Sequence, residues 1–167
     1  SAHPYFLQRE IGLGMSFSIN TKPIIENICK NIKLSEEEKE ILIQKLRPLS
    51  LKRKQHLVFE HQISRDVAFV ISGCLRSYSV DENGFEHILQ FAPKDWWITD
   101  MYSFISGKKG YLNVEAVKAS EVLLLNRKDQ LSLFDKIPAL ERHFRILTEN
   151  SLVNSRQRII EAMSLTA

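Results

Sequence analysis

The spacing of apolar residues divides this chain into a β-rich middle and helical ends. Between residues 49 and 126, apolar residues occur in short runs, such as 67–71, that turn residues separate. Leu112, Val114 and Ala116 alternate with more polar neighbours, which is the two-residue period of a strand with two different faces. Several short strands at such close spacing predict a β-sandwich or a β-barrel.

One turn in this middle region has a specific signature. Residues 81–84, Asp-Glu-Asn-Gly, join the segment 75–80 to the segment 87–91. Asn-Gly is the strongest short-range signal of a hairpin, because both residues tolerate positive φ angles. The sequence therefore predicts two antiparallel strands joined at Asn83-Gly84.

Two helices are predicted before the strands. Pro23 opens a segment with apolar residues at helical spacing, and proline is tolerated in a first helical turn. Further along, Ser35 and Glu38 have the spacing of a capping box, in which each side chain bonds the backbone amide of the other residue. Pro48 ends this second helix, which is predicted over about residues 36–46.

A long helix is predicted to follow Pro138. Apolar residues keep a spacing of three and four there over about six turns, with charged residues elsewhere on the surface. Such a helix has more apolar stripe than one small sandwich can cover, so we expect it to pair with a second copy of the chain. The alternative is that the helix packs only on its own domain. The residues assigned to the dimer interface are Leu140, Phe144, Leu147 and Ser151.

Composition adds limits rather than a function. The 167 residues suffice for one ordinary domain, and 44% apolar with 26% charged residues is typical of a soluble globular protein. The net charge of +3 permits a polyanionic partner without arguing for one. Cys29 and Cys74 form no disulfide framework, which favours a reducing cytoplasm. No apolar run reaches the roughly 18 residues of a membrane helix, so no membrane partner is expected.

Four short motifs follow one another in a familiar order. Residues 70–76, Val-Ile-Ser-Gly-Cys-Leu-Arg, form a strand followed by a glycine, a hydrophobic residue and an arginine, and residues 81–89 form the next hairpin. Residues 93–97, Pro-Lys-Asp-Trp-Trp, and residues 121–122, Glu-Val, complete the set. In this order, over about residues 24–163, the chain resembles the sensor domain of the cyclic AMP receptor protein/FNR family of bacterial transcription regulators.

The resemblance implies a mainly β fold with flanking helices: a double-stranded β-helix (jelly roll) that binds an effector, followed by a long C-terminal dimerisation helix. The jelly roll with its N-terminal helices would occupy residues 15–136, and the dimerisation helix residues 137–167. Residues 1–14 are interpreted as an N-terminal extension or, alternatively, a native arm. The winged helix-turn-helix that binds DNA in the family is absent from this chain, so DNA is expected as a partner only through a domain beyond residue 167.

The segment 95–110, DWWITDMYSFISGKKG, lies where family members that bind cyclic nucleotides carry a phosphate cassette. In that cassette a Gly-Glu pair begins a short helix, and an arginine and a small hydroxyl residue follow in the next loop; with backbone amides they hold the cyclic phosphate and the ribose. Here Thr99-Asp100 replace Gly-Glu, and Gly110-Tyr111 replace the arginine and the hydroxyl residue. We therefore expect an effector other than a cyclic nucleotide, or none.

Candidate residues for the effector pocket come from this segment and the strand after it. Lys108 and Lys109 could add positive charge, but lysine lacks the bidentate guanidinium, and both are interpreted as solvated loop residues. The assigned pocket residues are Trp97, Thr99, Asp100, Met101, Ser103, Tyr111 and Asn113.

Two other functions remain open at this point. The jelly roll is also the fold of cupins, whose metal-dependent enzymes use histidines and a carboxylate on facing strands, and His87 with Glu86 and Glu115 only approximates such a set. The histidines have no metal-ligand spacing, so no catalytic residue, metal or other cofactor is assigned. The second alternative is a dimer scaffold whose pocket no longer binds a ligand.

Overall fold

The computed structural model describes residues 6–11 and 15–166. Over these residues the chain forms an N-terminal hairpin, two helices, a β-roll with a short helix inserted before its last two strands, and two C-terminal helices. Among the described helices, none combines the length and hydropathy that a membrane span needs. The elements are β1 (Phe6–Ile11), β2 (Met15–Asn20), α1 (Lys22–Cys29), α2 (Glu36–Lys45), β3 (Arg47–Leu51), β4 (His56–Val58), β5 (Asp66–Ser72), β6 (Cys74–Val80), β7 (Glu86–Pro93), β8 (Trp97–Ile98), α3 (Met101–Ser106), β9 (Asn113–Ala116), β10 (Ser120–Asn126), α4 (Arg127–Lys136) and α5 (Ala139–Leu165).

Two four-stranded sheets form the β-roll. Their strand orders are β3-β10-β5-β8 and β4-β9-β6-β7, and neighbouring strands are antiparallel. Because neighbours in each sheet are distant in sequence, the chain crosses repeatedly between the sheets, as in a jelly roll. The predicted mainly β fold, a jelly roll with flanking helices and a long C-terminal helix, is confirmed.

The hairpin β1–β2 joins residues on both sides of the predicted boundary after residue 14. Its register pairs Ile11 with Met15 and Phe6 with Asn20. Residues 1–5 and 12–14 lie outside the described residues. The interpretation of residues 1–14 as an extension therefore stays a prediction.

The sheet β3-β10-β5-β8 is covered on both faces, which explains the continuous apolar runs in its strands. In β10, Val122 and Leu124 belong to the cluster between the two sheets. Leu123 and Leu125 belong to a second cluster that joins this sheet to the helices. The run 67–70 in β5 divides between the clusters in the same way. A strand buried on both faces has no polar side, so its sequence shows no alternation.

The helices before the roll begin where their sequence signals place them. Pro23 lies in the first turn of α1. At the start of α2, the Glu38 amide donates to Ser35 Oγ at 3.1 Å, and the Ser35 amide donates to Glu38 Oε1 at 2.9 Å. The predicted capping box is confirmed. The helix ends at Lys45, and the chain continues within two residues as β3.

The turn between β6 and β7 is longer than a two-residue hairpin. The backbones of Asp81 and Phe85 close it, because the Asp81 amide donates to the Phe85 carbonyl at 3.0 Å. Gly84 has a φ of +84°, whereas Asn83 keeps a negative φ. The Asp81 carboxylate accepts the amides of Asn83 and Phe85 at 2.9 and 3.0 Å. The hairpin is confirmed, but an aspartate side chain organises its turn.

α5 starts against the roll and then leaves it. Leu140 is fully buried and Phe144 is 9% exposed, both in the cluster that joins the sheet to the helices, and Leu147 packs against the same cluster. From residue 149 to residue 165 every side chain is exposed. The second half of this helix therefore carries its side chains outside the domain core.

The four residues assigned to the dimer interface differ in exposure, and their role in a dimer stays a prediction. Leu140, Phe144 and Leu147 pack within their own chain, because the first turns of α5 lie across the sheet and α4. Of the four assigned residues, Ser151 alone is exposed. The apolar residues that α5 leaves exposed are Leu152, Val153, Ile159, Ile160, Met163 and Leu165.

His143 is a buried titratable residue in the first half of α5. Its ring lies 5.7 Å from the Trp97 ring, and Asn31 Nδ2 lies 3.1 Å from its Nδ1. An amide NH₂ only donates, so Nδ1 is the acceptor and Nε2 carries the proton. Within the described part of the chain, Nε2 has no hydrogen-bond partner. Burial lowers the pKa of His143 from 6.5 to about 4.

Replacing this imidazole (His143→Gln) should flatten the acid side of the stability profile. The pKa of His143 is lower in the folded chain than in the unfolded chain, so protonation favours unfolding. The contribution of the neutral ring to the unfolding free energy is fully present above about pH 6.5 and is lost as the pH falls through about 4. Between about pH 7 and pH 4.5 the wild type should lose roughly 2–3 kcal/mol more unfolding free energy than the variant. Urea unfolding at both pH values measures the difference.

His61→Asn is the matched control. It removes an exposed imidazole at a positive φ of 65°, a conformation that asparagine tolerates. We expect this variant to lose as much stability on acidification as the wild type. An equal loss in His143→Gln would contradict the assignment of the acid sensitivity to the buried ring.

Candidate effector site

The predicted cassette lies where β8 meets α3. Asp100 follows the strand after one residue and is the N-cap of α3. Gly107 ends the helix in the left-handed conformation, with a φ of +71° that glycine adopts without strain. The loop 108–112 then returns to the start of α3 before β9 begins.

Asp100 ties this returning loop to the helix. Its side chain is only 2% exposed. Oδ1 accepts the Ser103 amide at 3.2 Å, which caps the helix. Oδ2 accepts the amides of Tyr111 and Leu112 at 2.9 and 3.0 Å. One carboxylate thus satisfies three backbone donors, two of which come from the loop.

Gly110 is required by the closeness of this carboxylate. A Cβ at this position would lie 2.9 Å from Asp100 Cγ and closer still to Oδ2, and 3.0 Å from the Ser103 Cβ. The Gly110 backbone is also fixed, since its amide donates to the Gln62 carbonyl at 2.9 Å and its carbonyl accepts the His61 amide at 2.8 Å. The loop therefore lies between Asp100 on one side and the segment 61–62 on the other.

Hydroxyl groups close the rest of the cassette. Thr99 Oγ1 donates to the Asp66 carbonyl at 2.8 Å and lies 3.0 Å from Ser64 Oγ. Ser103 Oγ donates to the Lys108 carbonyl at 2.6 Å and accepts the Ser64 amide at 2.8 Å. These hydroxyls bind neighbouring backbone and side chains, so a ligand would have to compete with an existing bond at each of them.

Trp97 connects the cassette to the helices. Its indole Nε1 donates to Asn27 Oδ1 of α1 at 2.8 Å. Its ring meets Phe69 at 5.1 Å and Phe144 at 5.3 Å, both edge-to-face. Met101 packs against the same core cluster. These two assigned pocket residues therefore contribute to the core beneath the cassette, whereas Trp96 is 50% exposed.

The Tyr111 ring lies outside the cassette. It is 64% exposed and packs against Tyr102 with a centroid separation of 5.5 Å. Its backbone amide, rather than its phenol, contributes to the Asp100 site. Lys108 and Lys109 are exposed, as their interpretation as loop residues predicts.

A groove of about 1500 Å³ separates the cassette from α5. Of the assigned pocket residues, Trp97, Thr99, Asp100, Met101 and Tyr111 line it, whereas Ser103 and Asn113 do not. The opposite wall comes from α5 and includes Phe144, Leu147 and Ser151. Such a volume exceeds the roughly 300–1000 Å³ of a small-molecule pocket. The groove is therefore open enough for an effector to touch both the cassette and the long helix.

Asn113 lies on a different face of the roll. Its Oδ1 accepts the Glu60 amide at 3.0 Å, and it is buried together with Glu115. The alternation in β9 predicts one polar face, and that face is covered rather than exposed. Nearby, the Tyr78 hydroxyl lies 2.8 Å from His56 Nε2, and burial, followed by the negative charge of Glu115, raises the pKa of Tyr78.

The residues considered for a cupin-like metal site are not brought together. Glu86 and Glu115 both bind Arg76, at 2.9 and 2.7 Å. His87 instead pairs with Asp81 at 2.7 Å. Among the described residues, no group of three or more histidine, cysteine or acidic side chains is arranged to hold a metal ion. Arg76 thus occupies the place between the two carboxylates that a cation would need.

The jelly roll with its inserted short helix places the chain in a known domain family. Residues 48–136 match the family model described as the cyclic nucleotide-binding domain. The chain therefore belongs to the cyclic nucleotide-binding domain family. Family membership fixes the fold of the cassette and not its ligand, since a fold hosts different sites. No curated protein sequence matches the chain with significance.

Solved structures of bacterial proteins share this fold. A cyclic nucleotide-binding domain from Methylobacillus flagellatus has a TM-score of 0.73 at 17% identity, with 84% of this chain and 83% of that one covered. The sensor domain of the transcriptional regulator DNR from Pseudomonas aeruginosa has a TM-score of 0.65 at 18% identity, with 84% of this chain and 91% of that one covered. The catabolite activator protein of Thermus thermophilus has a TM-score of 0.67 at 20% identity, and the match spans 80% of this chain but only 61% of that protein.

These likenesses establish the fold alone, and they agree with the resemblance to the sensor domains of the cyclic AMP receptor protein/FNR family. Their identities lie at or below 20%. Another matching structure, with a TM-score of 0.63 at 12% identity, is described as a c-di-GMP-responsive regulator of Xanthomonas campestris. One fold therefore occurs in proteins whose descriptions name different effectors, and the side chains of each cassette have to be considered individually.

Sequence reasoning missed two residues that shape the site. Ser64 bonds both Thr99 and Ser103, and its distance of more than thirty positions from either leaves no local signal. Gly110 appeared as a loop glycine at the place of the family arginine; its need for a missing Cβ depends on where Asp100 folds. The one clue in the sequence is that Gly110 stands in the loop without a recognisable turn motif.

Gly110→Ala should destabilise the domain by about 1–3 kcal/mol, because the new methyl group would collide with the Asp100 carboxylate and force the loop apart. Urea unfolding measures the loss. In an Asp100→Ala background the same change should cost at least about 0.5 kcal/mol less, since the colliding group is gone. Equal costs in both backgrounds would show that the carboxylate does not restrict residue 110.

Proposed function

We propose that this chain is the effector-sensing, dimerising regulatory domain of a transcription regulator of the cyclic AMP receptor protein/FNR type, and that its effector is not a cyclic nucleotide. The jelly roll would comprise residues 15–136 and the dimerisation helix residues 137–167. DNA binding would belong to a domain outside this chain, and no enzymatic activity is proposed. The family match and the fold shared with bacterial regulators support the regulatory role.

The groove between the cassette and α5 carries the proposal. An effector bound there would touch Trp97 and Met101 on one wall and Phe144 and Leu147 on the other. These side chains already pack in one cluster, so a ligand that moves one wall moves the other. Effector binding and the position of the long helix are thereby coupled, which is what a sensor domain requires.

The chemistry of the cassette argues against a cyclic phosphate. Position 110 is a glycine, so no guanidinium fork is available at that place, and the Tyr111 ring lies on the surface. The two loop amides are bound to Asp100. Charge-assisted hydrogen bonds contribute about 1.5–3 kcal/mol each, so the loss of the fork removes a large part of the affinity for a phosphate.

The exposed half of α5 supports a dimer. Leu152, Val153, Ile159, Ile160 and Met163 are between 49% and 70% exposed. At about 100° per residue they cover one side of the helix, roughly 120° wide. Most of a helix's stability in a protein comes from packing of its apolar face, so burying this face against a second copy would stabilise the exposed half of α5. The proposed interface thus begins next to Ser151, at Leu152, and extends over roughly three turns toward the end of α5.

Ile160→Glu should convert a dimer of the wild-type chain into a monomer, because a carboxylate would be buried within the proposed apolar face. Light scattering coupled to size exclusion measures the mass. Asn154→Glu, on the opposite side of the helix, is the control and should stay dimeric. A wild type that is monomeric, or an Ile160→Glu variant that keeps the mass of two chains, would contradict the interface.

Cyclic AMP and cyclic GMP at about 1 mM should leave the melting temperature of the wild type unchanged, because the cassette has no guanidinium at residue 110 to hold the phosphate. The measurement is sensitive enough, since a ligand at about 100 times its Kd would raise the melting temperature by several degrees. A screen of metabolites without a cyclic phosphate is the positive arm, and a stabilising compound identifies the effector class. A rise with either cyclic nucleotide would overturn the proposed ligand class. A flat response to every compound would favour the ligand-free scaffold.

A further inference from the structure

We propose that Asp100 acts as an internal anion that fills the cassette and so determines which effectors the domain accepts: those without a phosphate or other anionic group at this position. The inference rests on the proposed function in treating the adjoining groove as the effector site. The filling of the cassette by Asp100 is a separate matter and can be tested by itself.

The donors of the cassette provide the first step. Two consecutive loop amides, those of Tyr111 and Leu112, converge on a single oxygen, Asp100 Oδ2, at 2.9 and 3.0 Å. Adjacent amides that point to one place form a site for an anionic oxygen. Here that oxygen belongs to the chain itself, and the second oxygen of the same carboxylate caps α3 through the Ser103 amide.

The available space provides the second step. The carboxylate is buried, and at Gly110 not even a methyl group fits beside it. A phosphate oxygen could reach the loop amides only by displacing Asp100. The displaced carboxylate would then lose all three of its hydrogen bonds, and the helix would lose its cap.

The charges around the site provide the third step. A phosphate beside Asp100 would bring two negative charges together, and this is tolerated only where a cation neutralises them. The lysines of the loop, Lys108 and Lys109, are exposed. Arg127 holds its guanidinium over the Phe104 ring at 5.5 Å and bonds Gln130 at 2.6 Å. The described residues thus place no arginine fork on the Asp100 oxygens.

The effector class follows from these steps. A ligand enters the groove between the cassette and α5 and meets Trp97, Tyr111 and the aliphatic side chains of α5. Its end that faces the cassette meets a carboxylate whose lone pairs already accept three amides. An uncharged end fits there, and a phosphate does not.

Asp100→Ser tests the internal anion directly. Serine keeps the helix cap, because its hydroxyl can accept the Ser103 amide, but it is too short to reach the loop amides. Sodium formate restores the missing carboxylate. At a formate concentration several times its Kd, the melting temperature of the variant should rise by about 2–4 °C above that in sodium chloride of equal ionic strength.

Asp100→Asn is the matched control. Its amide fills the same volume without charge, so formate should give it no more stabilisation than it gives the wild type. A formate-specific rise in Asp100→Ser alone supports the proposal, as does a variant that folds only in formate. A folded Asp100→Ser that responds to formate no differently from the wild type and Asp100→Asn overturns it.

A second measurement uses the wild type and does not depend on the variants folding. Inorganic phosphate or cyclic AMP should leave the backbone amide resonances of Tyr111 and Leu112 in place, and a saturable shift of either resonance overturns the proposal. The measurements distinguish a failure of the proposed effector-sensing function from a failure of the internal-anion proposal. A wild type that responds to no effector ends the proposed function but leaves the formate result standing. An effector that binds the groove while Asp100→Ser ignores formate overturns only the internal anion.

Discussion

The bond between the Asp100 carboxylate and three backbone amides is the interaction on which the cassette depends. It holds the loop 108–112 against α3, and the loop in turn pairs with residues 61 and 62 through the Gly110 backbone. Without an acceptor at this place, the amides of Tyr111 and Leu112, which are part-buried, would lose their hydrogen-bond partner within the chain. The shape of the cassette therefore depends on an acceptor at this place, and the Asp100 carboxylate supplies it.

The same region is connected to the helices through one side chain. Trp97 lies in the outer strand β8, hydrogen-bonds α1 through Asn27, and packs its ring on Phe144 of α5. His143, the neighbour of Phe144, is bonded in turn to Asn31 just beyond α1. A close-packed core has few intermediate arrangements, so a shift of β8 and α3 has to be accommodated by these helices together. These contacts connect the groove physically to α5.

Much of the fold could be read from the sequence, because it depends on local rules. The capping box at Ser35, the helix after Pro138 and the hairpin near Gly84 each follow from a few neighbouring residues. The position of the cassette also followed, since Thr99 and Asp100 lie where a family pattern places them. Its contacts did not, because the partners of Asp100 are eleven and twelve residues away and depend on the path of a loop.

The long helix α5 shows a different limit of sequence reasoning. A stripe of apolar residues reports that a helix face is buried but not which surface buries it. In α5 the stripe is divided: Leu140 and Phe144 pack on the roll, whereas Leu152 and Ile159 lie outside it. The division occurs where the helix passes the edge of its own domain, near residue 149, and that edge is a property of the tertiary structure.

Under the proposed function, the side-chain length at position 100 acts together with the glycine at position 110 to distinguish this cassette from one that binds a cyclic nucleotide. Aspartate is a good N-cap because its short carboxylate turns back onto the amides of the first helical turn, and Asp100 does so while its second oxygen reaches the loop. Glutamate, one methylene longer, is not among the preferred N-caps and extends away from its own backbone, where it is free to bind a ligand hydroxyl. The change to aspartate therefore turns the carboxylate from the ligand toward the protein. Once the carboxylate binds the loop amides, an arginine at residue 110 would have no phosphate to hold and a glycine is the residue that fits.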